Sequence, residues 1–260
     1  MVKTYLKSNF ISMQQQYEDY SDADFKIWRE LYERQMAIVP KYACTPFLKA
    51  LDKIGFSREE IPRFEALDKV LMEATGWSIT VVKGLIPVED FFQALAEKKF
   101  PASTWLRNEQ QLEYIEEPDM FHDIFGHVPL LVNPVYASFI QAYAQMALEY
   151  TQNEKAIALL QRLYWFTVEF GLIQEREAVR IYGAGIISSP KESLFSVGGE
   201  SRKLPFNIDT IFNNPFEKSN IQQEYYVISE LEELERAIPE IKKRLDQLIE
   251  DGLNDVKPVR

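Results

Sequence analysis

One stretch of the sequence reads Glu117-Pro118-Asp119-Met120-Phe121-His122-Asp123-Ile124-Phe125-Gly126-His127-Val128-Pro129, and it contains both histidines of the 260-residue chain. Neutral imidazole is the commonest side-chain metal ligand. Two histidines four residues apart share one face of an α-helix, whereas a spacing of five makes them diverge. Both rings can therefore reach one ion only if the helix geometry changes between them.

A glycine and two prolines in this stretch indicate such a change. Pro118 suits the first turn of a helix, where a neighbouring acid is also favourable. Gly126 is expected to adopt the left-handed conformation that closes a helix, and Pro129 to prevent the helix from resuming. His122 would then project from the helix and His127 from its unwinding end, toward one metal ion. The alternative is two unrelated polar side chains near a helix end.

A third ligand is available downstream. Glu169 is the one acid in the apolar segment Leu163-Tyr164-Trp165-Phe166-Thr167-Val168-Glu169-Phe170-Gly171. A buried carboxylate must be paired or must bind a metal, and Arg162 or Arg180 is the alternative partner. Two histidines and one carboxylate that leave positions open form the ligand set of non-haem Fe(II) oxygenases. The spacing alone does not separate iron from zinc.

The composition limits the classes of partner. The chain is 46% hydrophobic and carries a formal net charge of −11, which argues against binding to nucleic acid or to anionic membranes. Cys44 is the only cysteine, so an internal disulfide is impossible. The first residues, Met1 to Lys7, lack the apolar run of a signal peptide, and no stretch approaches the length of a membrane span. The expected location is the cytoplasm.

The periodicity of apolar residues predicts a mainly α-helical fold with a few short β-strands. Helices are expected from a cap at residues 21–24 to Pro40, over 46–54 with Gly55 closing, over 57–74, from about 88, over 134–150 and 154–170, and over 228–251 with a break near Pro239. Strands are expected at 77–82 and 225–227, and a loop at 183–190. One domain over 1–260 is predicted, with an N-terminal arm at 1–20 and a helical tail at 228–260.

Three motifs together resemble a known family. They are Glu-Pro-Asp-x-x-His-Asp-x-x-Gly-His-Val-Pro at 117–129, Tyr-Trp-Phe-Thr-Val-Glu-Phe-Gly at 164–171, and Tyr-Gly-Ala-Gly-Ile-Ile-Ser-Ser at 182–189. Their order and sequence are similar to those of the pterin-dependent aromatic amino acid hydroxylases, in particular the bacterial enzymes that act on phenylalanine. The similarity extends from about Gln16 to about Val227.

The resemblance implies an iron enzyme. In this interpretation His122, His127 and Glu169 hold Fe(II), tetrahydrobiopterin or another tetrahydropterin donates electrons, and O2 is the co-substrate. The reaction is hydroxylation of L-phenylalanine to L-tyrosine. No side chain can split O2, so a metal and an organic cofactor must carry that step.

The resemblance also assigns residues around the metal. Ser188 aligns with a serine near one iron-bound histidine and near the substrate, Asp123 with an acid near the pterin and the metal, and Tyr164 with a residue of the same cavity. Without the resemblance, these are ordinary loop, helix-surface and core residues.

The amino acid and the pterin need further groups. Arg107 aligns with the arginine that binds the substrate carboxylate, a role that suits the guanidinium fork. Trp165 and Gly185 align with residues that flank the substrate ring, and a threonine of the family is replaced here by Ile115. For the pterin, Phe91 aligns with a stacking phenylalanine, and Gly84, Leu85 and Ile86 with a loop along the other edge of the cofactor.

The resemblance has consequences for organisation, and it leaves alternatives open. The chain is expected to lack a separate regulatory domain and to be a monomer whose tail helix packs on its own domain. Its partners are expected to be small molecules, with neither nucleic acid nor membrane. Tryptophan or tyrosine could replace phenylalanine as substrate. A 2-oxoglutarate oxygenase orders its ligands differently on a β-rich barrel, and a structural zinc protein needs a closed set of four ligands.

Overall fold

The computed structural model describes residues 13–112, 115, 117–216 and 220–253 and is mainly α-helical, as predicted. The helices are α1 Asp22–Met36, α2 Val39–Tyr42, α3 Thr45–Ile54, α4 Phe64–Ala74, α5 Val88–Ala96, α6 Pro134–Ala147, α7 Glu154–Tyr164, α8 Ala184–Ile187, α9 Pro190–Val197, α10 Ile208–Asn213 and α11 Leu231–Glu250. The strands are β1 Ser78–Val81, β2 Lys99–Ala102, β3 Leu172–Glu175, β4 Ala178–Ile181, β5 Arg202–Pro205 and β6 Glu224–Ile228. Two π-helical segments, Phe121–His127 and Trp165–Glu169, and short 3₁₀ turns at Tyr17–Asp19, Glu109–Gln111, Pro129–Val132 and Leu148–Tyr150 complete the description.

Several helix ends follow from local signals in the sequence. Ser21 accepts a hydrogen bond from the Asp24 N–H while the Asp24 carboxylate accepts one from the Ser21 N–H, which is a complete capping box at the start of α1. Gly55 closes α3 with a φ of 69°, in the left-handed region that suits glycine. The helix predicted to begin near Val88 is α5, which begins at that residue. The two predicted strands are also confirmed, as β1 and β6.

Four boundary predictions were wrong. Pro40 lies in the first turn of α2 instead of ending α1, which stops at Met36. The helix expected from Ser57 begins only at Phe64, since Pro62 disfavours helical backbone at the residue before it. The expected loop at 183–190 contains the helical turn α8. Finally, α11 continues through Pro239 without a break.

The uninterrupted course of α11 is explained by its packing. A proline inside a helix costs about 3 kcal/mol, but the apolar face on both sides of it lies against α6. This face consists of buried residues, namely Leu231, Leu234, Ala237, Ile241 and Leu245. The tail helix therefore packs on its own domain, as expected. Among the described residues, no helix is long and apolar enough to cross a membrane.

Two small sheets lie beside the helices. β1 and β2 pair in parallel. The second sheet has the order β4-β3-β6-β5, in which β3 and β4 are antiparallel while β6 is parallel to both of its neighbours. Of the predicted N-terminal arm, residues 13–20 lie against the domain: Met13 bridges to Val81 and the Gln15 side chain bonds to the backbone at Pro62 and Phe64. Residues 1–12 of the arm and 254–260 of the tail lie outside the described residues.

The core fixes the orientation of the first π-helical segment. Phe121 and Phe125 are fully buried and stack with ring centroids 4.8 Å apart, and Trp28 of α1 meets Phe121 edge-on at 5.4 Å. Aromatic pairs of this kind add about 0.5–1.5 kcal/mol to the burial of their area. Because the phenylalanines are held on the core side, the two histidines of the segment face the other way.

Candidate active site

The π-helix explains the spacing of the two histidines. Its backbone hydrogen bonds join residues five apart, so residues at i and i+5 lie one turn above another on the same face. His122 is the second residue of this segment and His127 is its last, so the two side chains are neighbours. The predicted mechanism was wrong: Gly126 is not among the glycines with positive φ, and the helix does not unwind there.

Gly126 has a packing role instead. A Cβ at this position would lie 2.9 Å from the carbonyl oxygen of Ala184 and 3.2 Å from its Cβ. Glycine thus allows α8 to approach the π-helical segment closely. This approach matters for the site because α8 leads directly to Ser188.

Glu169 ends the second π-helical segment, where the Phe170 N–H donates to the carbonyl of Trp165 five residues earlier at 2.8 Å. Glycines crowd this corner. A Cβ at Gly183 would lie 2.4 Å from the Glu169 carbonyl oxygen, and one at Gly185 would lie 2.9 Å from the ring of Phe170. The Gly185 N–H also lowers the pKa of the Glu169 carboxyl group. The motif at 182–189 therefore supports this carboxylate from behind.

The three predicted ligands converge. Nε2 of His122 and Nε2 of His127 are 3.2 Å apart, and Glu169 lies 3.1 Å from His127 Nε2 through Oε1 and 3.6 Å from His122 Nε2 through Oε2. Their ligand atoms all lie within 4.8 Å of one another. Ligand atoms about 2.1 Å from an ion and at right angles lie about 3 Å apart. The three side chains thus fit one face of a metal ion's coordination sphere.

The electrostatics of His122 and Glu169 suit metal binding, whereas His127 is coupled to neighbouring carboxylates. Burial lowers the pKa of His122 to about 4, so its ring is neutral and its lone pair is available at neutral pH. Burial also acts against charge on His127, but the Glu169 and Asp123 carboxylates outweigh it and raise the pKa of that ring. Burial opposes ionisation of Glu169, yet the two histidines and the Gly185 N–H lower its pKa below the usual value.

Ser188 fixes the tautomer of His122. Its hydroxyl donates to the Ala184 carbonyl at 2.9 Å, and its oxygen also lies 2.9 Å from His122 Nδ1. Since a hydroxyl has one proton to donate, Nδ1–H must be the donor in the second contact. Nε2 of His122 is then unprotonated and carries the lone pair that faces the other ligands. Such outer contacts orient metal-binding histidines generally.

Arg107 is buried in an ion pair that the sequence did not predict. Its Nε and one terminal nitrogen donate to the two carboxylate oxygens of Asp119, each at 2.8 Å. Asp119 is completely buried and also accepts the N–H groups of Arg107 and His122, both at 3.0 Å. Burial alone would raise the pKa of Asp119, but Arg107 and these N–H donors hold it below the usual range. One carboxylate thus connects the predicted substrate arginine to a predicted ligand.

Asp123 is held by Ser103, the residue that follows β2. Its Oδ2 accepts the N–H of Ser103 at 2.8 Å and the Ser103 hydroxyl at 3.0 Å. Burial raises the pKa of Asp123 to about 7, against the opposing effect of these hydrogen bonds. Tyr164 meets Phe91 edge-on with ring centroids 5.5 Å apart, which places the predicted pterin-stacking ring beside the predicted catalytic tyrosine.

These side chains surround a cavity of about 670 Å³. All of the predicted site residues except His127 line this cavity. They are Gly84, Leu85, Ile86, Phe91, Arg107, His122, Asp123, Tyr164, Trp165, Glu169, Gly185 and Ser188. His127 lies behind the wall, 5% exposed, with its ring 5.0 Å from that of Phe100. The size suits small organic ligands.

The cavity also has lining residues that sequence reasoning missed. The ring of Phe216 stacks on that of Trp165 with centroids 4.4 Å apart, and the Phe170 ring lies 4.5 Å from the Trp165 ring. Glu192 contributes an acid to the lining. Isolated aromatic or acidic residues of this kind carry no signal in the sequence. Ile115, which replaces a threonine of the family, lines the cavity.

Comparison with known proteins identifies the class to which this fold and site correspond. Residues 7–254 match the family described as biopterin-dependent aromatic amino acid hydroxylase, and the chain belongs to that family.

Two bacterial relatives show the extent of the similarity. The chain is 47% identical over 224 residues to the phenylalanine-4-hydroxylase of Ralstonia nicotianae, covering 86% of this chain and 71% of the relative. It is 40% identical over 256 residues to that of Chromobacterium violaceum, covering 96% and 86%. A crystal structure of the latter enzyme with bound oxidised Fe(III) superposes with a TM-score of 0.88 at 40% identity, covering 95% of this chain and 88% of that one. Another contains iron(III) and the oxidised cofactor 7,8-dihydrobiopterin, with a TM-score of 0.86 at 39% identity and the same coverages.

Proposed function

We propose that this protein is a non-haem Fe(II), tetrahydropterin-dependent monooxygenase that converts L-phenylalanine to L-tyrosine with O2. The observation that carries the proposal is the convergence of His122, His127 and Glu169 at the wall of an aromatic-lined cavity. Family membership supports it, and so do relatives that are phenylalanine hydroxylases with iron and a biopterin in their crystal structures.

The donor set favours iron over a structural metal. Two imidazoles and one carboxylate occupy one side of an ion and leave the side toward the cavity open, as in non-haem Fe(II) oxygenases. When bound, iron and a tetrahydropterin supply the site and the electrons for cleaving O2. Ser188 keeps the Nε2 lone pair of His122 directed at the metal, and the Gly185 N–H favours the charged form of the Glu169 carboxylate.

Arg107 is proposed to bind the carboxylate of the amino acid substrate. Two of its donors are occupied by Asp119, which fixes the plane of the guanidinium at the cavity wall. A fixed guanidinium loses little freedom when the substrate binds, and a charged hydrogen bond in a buried site is strong. Trp165 and Gly185 flank the substrate ring in this proposal, and the Trp165 ring contacts the rings of both Phe170 and Phe216.

The pterin is proposed to lie at the other end of the cavity. Phe91 offers a ring for stacking, and the backbone of residues 84–86 offers hydrogen-bonding groups to the cofactor's edge. Gly84 has a φ of 137°, a conformation that glycine adopts readily, so this loop needs glycine at its start. Asp123 and Tyr164 line the same cavity, and Tyr164 contacts Phe91.

The lining favours phenylalanine over its hydroxylated relatives. The acids in the described lining are Asp123, Glu169 and Glu192, and each already accepts hydrogen bonds from the protein. A site built around a substrate hydroxyl needs a polar partner for it, whereas an apolar pocket discriminates by size at about 1–3 kcal/mol per methylene. Tryptophan and tyrosine are the competing substrates within the family.

We also propose that the chain works as one catalytic domain, as a monomer in the cytoplasm. One continuous hydrophobic core that includes residues from α1 to α11 supports the single domain. The packing of the apolar face of α11 on α6 supports the monomer, because this face is not left to bind a second copy. The buried thiol of Cys44, the only cysteine, is compatible with a reducing compartment.

An omission series tests the function. Purified protein is supplied with Fe(II), a tetrahydropterin, air and L-phenylalanine, and tyrosine is quantified by chromatography. Tyrosine is expected only in the complete mixture, with none when iron, pterin or O2 is left out or when Zn²⁺ replaces iron. Tyrosine formation that persists without pterin, or a complete mixture without hydroxylated product from any aromatic amino acid, would reject the proposal.

A further inference from the structure

Glu192 is a buried acid to which the mechanism above assigns no role. It lies in α9, is 6% exposed and lines the cavity. Its Oε1 accepts the N–H of Gln222 at 3.1 Å and the hydroxyl of Tyr225. Burying a carboxyl group is costly unless it is hydrogen-bonded, so a buried acid with two donors from one distant segment calls for an explanation.

One donor, the Gln222 N–H, belongs to the part of the chain that forms one side of the cavity, and the other, the Tyr225 hydroxyl, belongs to the strand β6 that follows. We call residues 220–223 the wall segment; Asn220 and Ile221 line the cavity, and β6 begins directly after it at Glu224. Ile221 is 39% exposed, so burial contributes little to holding it. Glu192 joins the backbone of the wall segment at Gln222 to α9, while the Gln223 carbonyl is joined to β5 by the N–H of Arg202 at 2.9 Å.

The wall segment follows closely in the chain after a residue that contacts the proposed amino acid end of the cavity. Phe216, four residues before it, also lines the cavity and stacks on Trp165 with ring planes 15° apart. Glu192 itself follows Ser188 by four residues on the chain that supports the metal ligands. The predicted pterin groups, Phe91 and residues 84–86, come from a different part of the fold, around α5.

We propose that Glu192 is a positioning residue for the amino acid substrate: it holds the wall segment against α9 and thereby sets the width of the substrate end of the cavity. The inference rests on the proposed function and assigns a determinant of substrate binding within it. Glu192 acts through the backbone of Gln222, and hence through Asn220 and Ile221, not through the metal. Because burial raises the pKa of Glu192, a neutral carboxamide is a close substitute for the side chain.

Steady-state kinetics of Glu192→Ala, Glu192→Gln and Tyr225→Phe test the proposal. Losing a hydrogen bond to a buried acidic group costs enough to change an equilibrium by about tenfold, so Glu192→Ala should raise KM for phenylalanine about tenfold. KM for the tetrahydropterin and the bound iron should stay at the wild-type level, and kcat should change less than KM. Glu192→Gln keeps an acceptor oxygen for both donors and should stay close to wild type. Tyr225→Phe leaves the Gln222 bond intact and should give a smaller rise in the same KM.

Glu175→Ala is the matched control. Glu175 likewise accepts one backbone N–H and one hydroxyl, both from Thr45 at 2.8 and 2.9 Å, but it does not line the cavity. This variant should leave both KM values unchanged. If Glu192→Ala does not fold, KM for phenylalanine in Tyr225→Phe and in Glu192→Gln tests the positioning role instead.

The outcomes separate the two claims. If the wild type is active, three results would each reject the positioning role alone. The first is an unchanged KM for phenylalanine in Glu192→Ala and Tyr225→Phe. The second is an equal rise in KM for phenylalanine and pterin, and the third is a Glu192→Gln variant as impaired as Glu192→Ala. A wild type that forms no hydroxylated product rejects the proposed function, and the positioning role with it.

Discussion

Removing the carboxylate of Asp119 is expected to damage both stability and substrate binding. In the wild type this carboxylate accepts four hydrogen bonds, three from Arg107 and one from the N–H of His122. Asp119→Ala leaves the Arg107 guanidinium, which is only 5% exposed, without its counter-charge. It also leaves the His122 N–H, at the start of the π-helical segment, without its side-chain acceptor.

The magnitude follows from the burial of the pair. Breaking a buried ion pair by removing one partner costs about 3–5 kcal/mol, because the remaining charge is uncompensated. For a chain of this size each kcal/mol shifts Tm by about 2–4 °C, so the expected loss is about 6–20 °C. KM for phenylalanine should rise as well, because Arg107 is then free to leave the orientation in which we propose that it binds the substrate.

Thermal unfolding followed by circular dichroism measures the loss of stability. Glu65→Ala is the matched control, since Glu65 pairs with Lys69 on the surface with side chains 85% and 75% exposed. Its Tm should match the wild type. The double variant Arg107→Ala/Asp119→Ala should be more stable than the sum of the single losses predicts, because it leaves neither charge buried alone. An Asp119→Ala protein that unfolds at the wild-type Tm, or a double variant with strictly additive losses, would refute the reasoning.

Three further predictions follow from the site. His122→Ala, His127→Ala and Glu169→Ala should each abolish iron-dependent turnover and reduce bound iron while the far-UV circular dichroism stays near wild type; wild-type iron content and activity in any one would remove that residue from the ligand set. Arg107→Ala should raise KM for phenylalanine far more than KM for the pterin, by a factor equivalent to about 2–5 kcal/mol, and equal rises would indicate a structural role. Gly126→Ala should cost about 1–3 kcal/mol in a urea titration, because its Cβ would lie 2.9 Å from the Ala184 carbonyl oxygen, and an unchanged midpoint would contradict this close packing.

The parts of the fold that local chemistry controls could be predicted from the sequence. The cap at Ser21, the close of α3 at Gly55 and the amphipathic patterns of α6 and α7 depend on residues a few positions apart. The three candidate ligands were also found from residue type and burial, because a lone acid in an apolar segment and a close pair of histidines are unusual.

The geometry that joins the ligands could not be predicted in this way. A π-helix has no distinct pattern of apolar residues over a single turn, so Gly126 was interpreted by its usual role of ending helices. Its actual role depends on Ala184, far along the chain. Pro239 was misjudged for a related reason, since packing of α11 on α6 outweighs the local preference.

The supporting contacts of the site are the least predictable from sequence. Arg107 and Asp119 are separated by 12 residues and Glu192 and Gln222 by 30, and no local pattern indicates either contact. Only the folded chain brings these groups together. From sequence alone, each of these polar residues would be expected at the surface. The role of Ser188 became explicit only when its two hydrogen bonds defined the tautomer of His122.

A competition assay tests the central claim, hydroxylation of phenylalanine, most directly. The enzyme is given Fe(II), a tetrahydropterin and air with equal concentrations of phenylalanine, tyrosine and tryptophan, the phenylalanine carrying ring ¹³C so that new tyrosine is distinguished from added tyrosine by mass. ¹³C-tyrosine is expected to be the dominant product, with at most slow formation of hydroxytryptophan. Dominant 5-hydroxytryptophan or dihydroxyphenylalanine made from the unlabelled tyrosine would contradict the assignment of phenylalanine as the substrate.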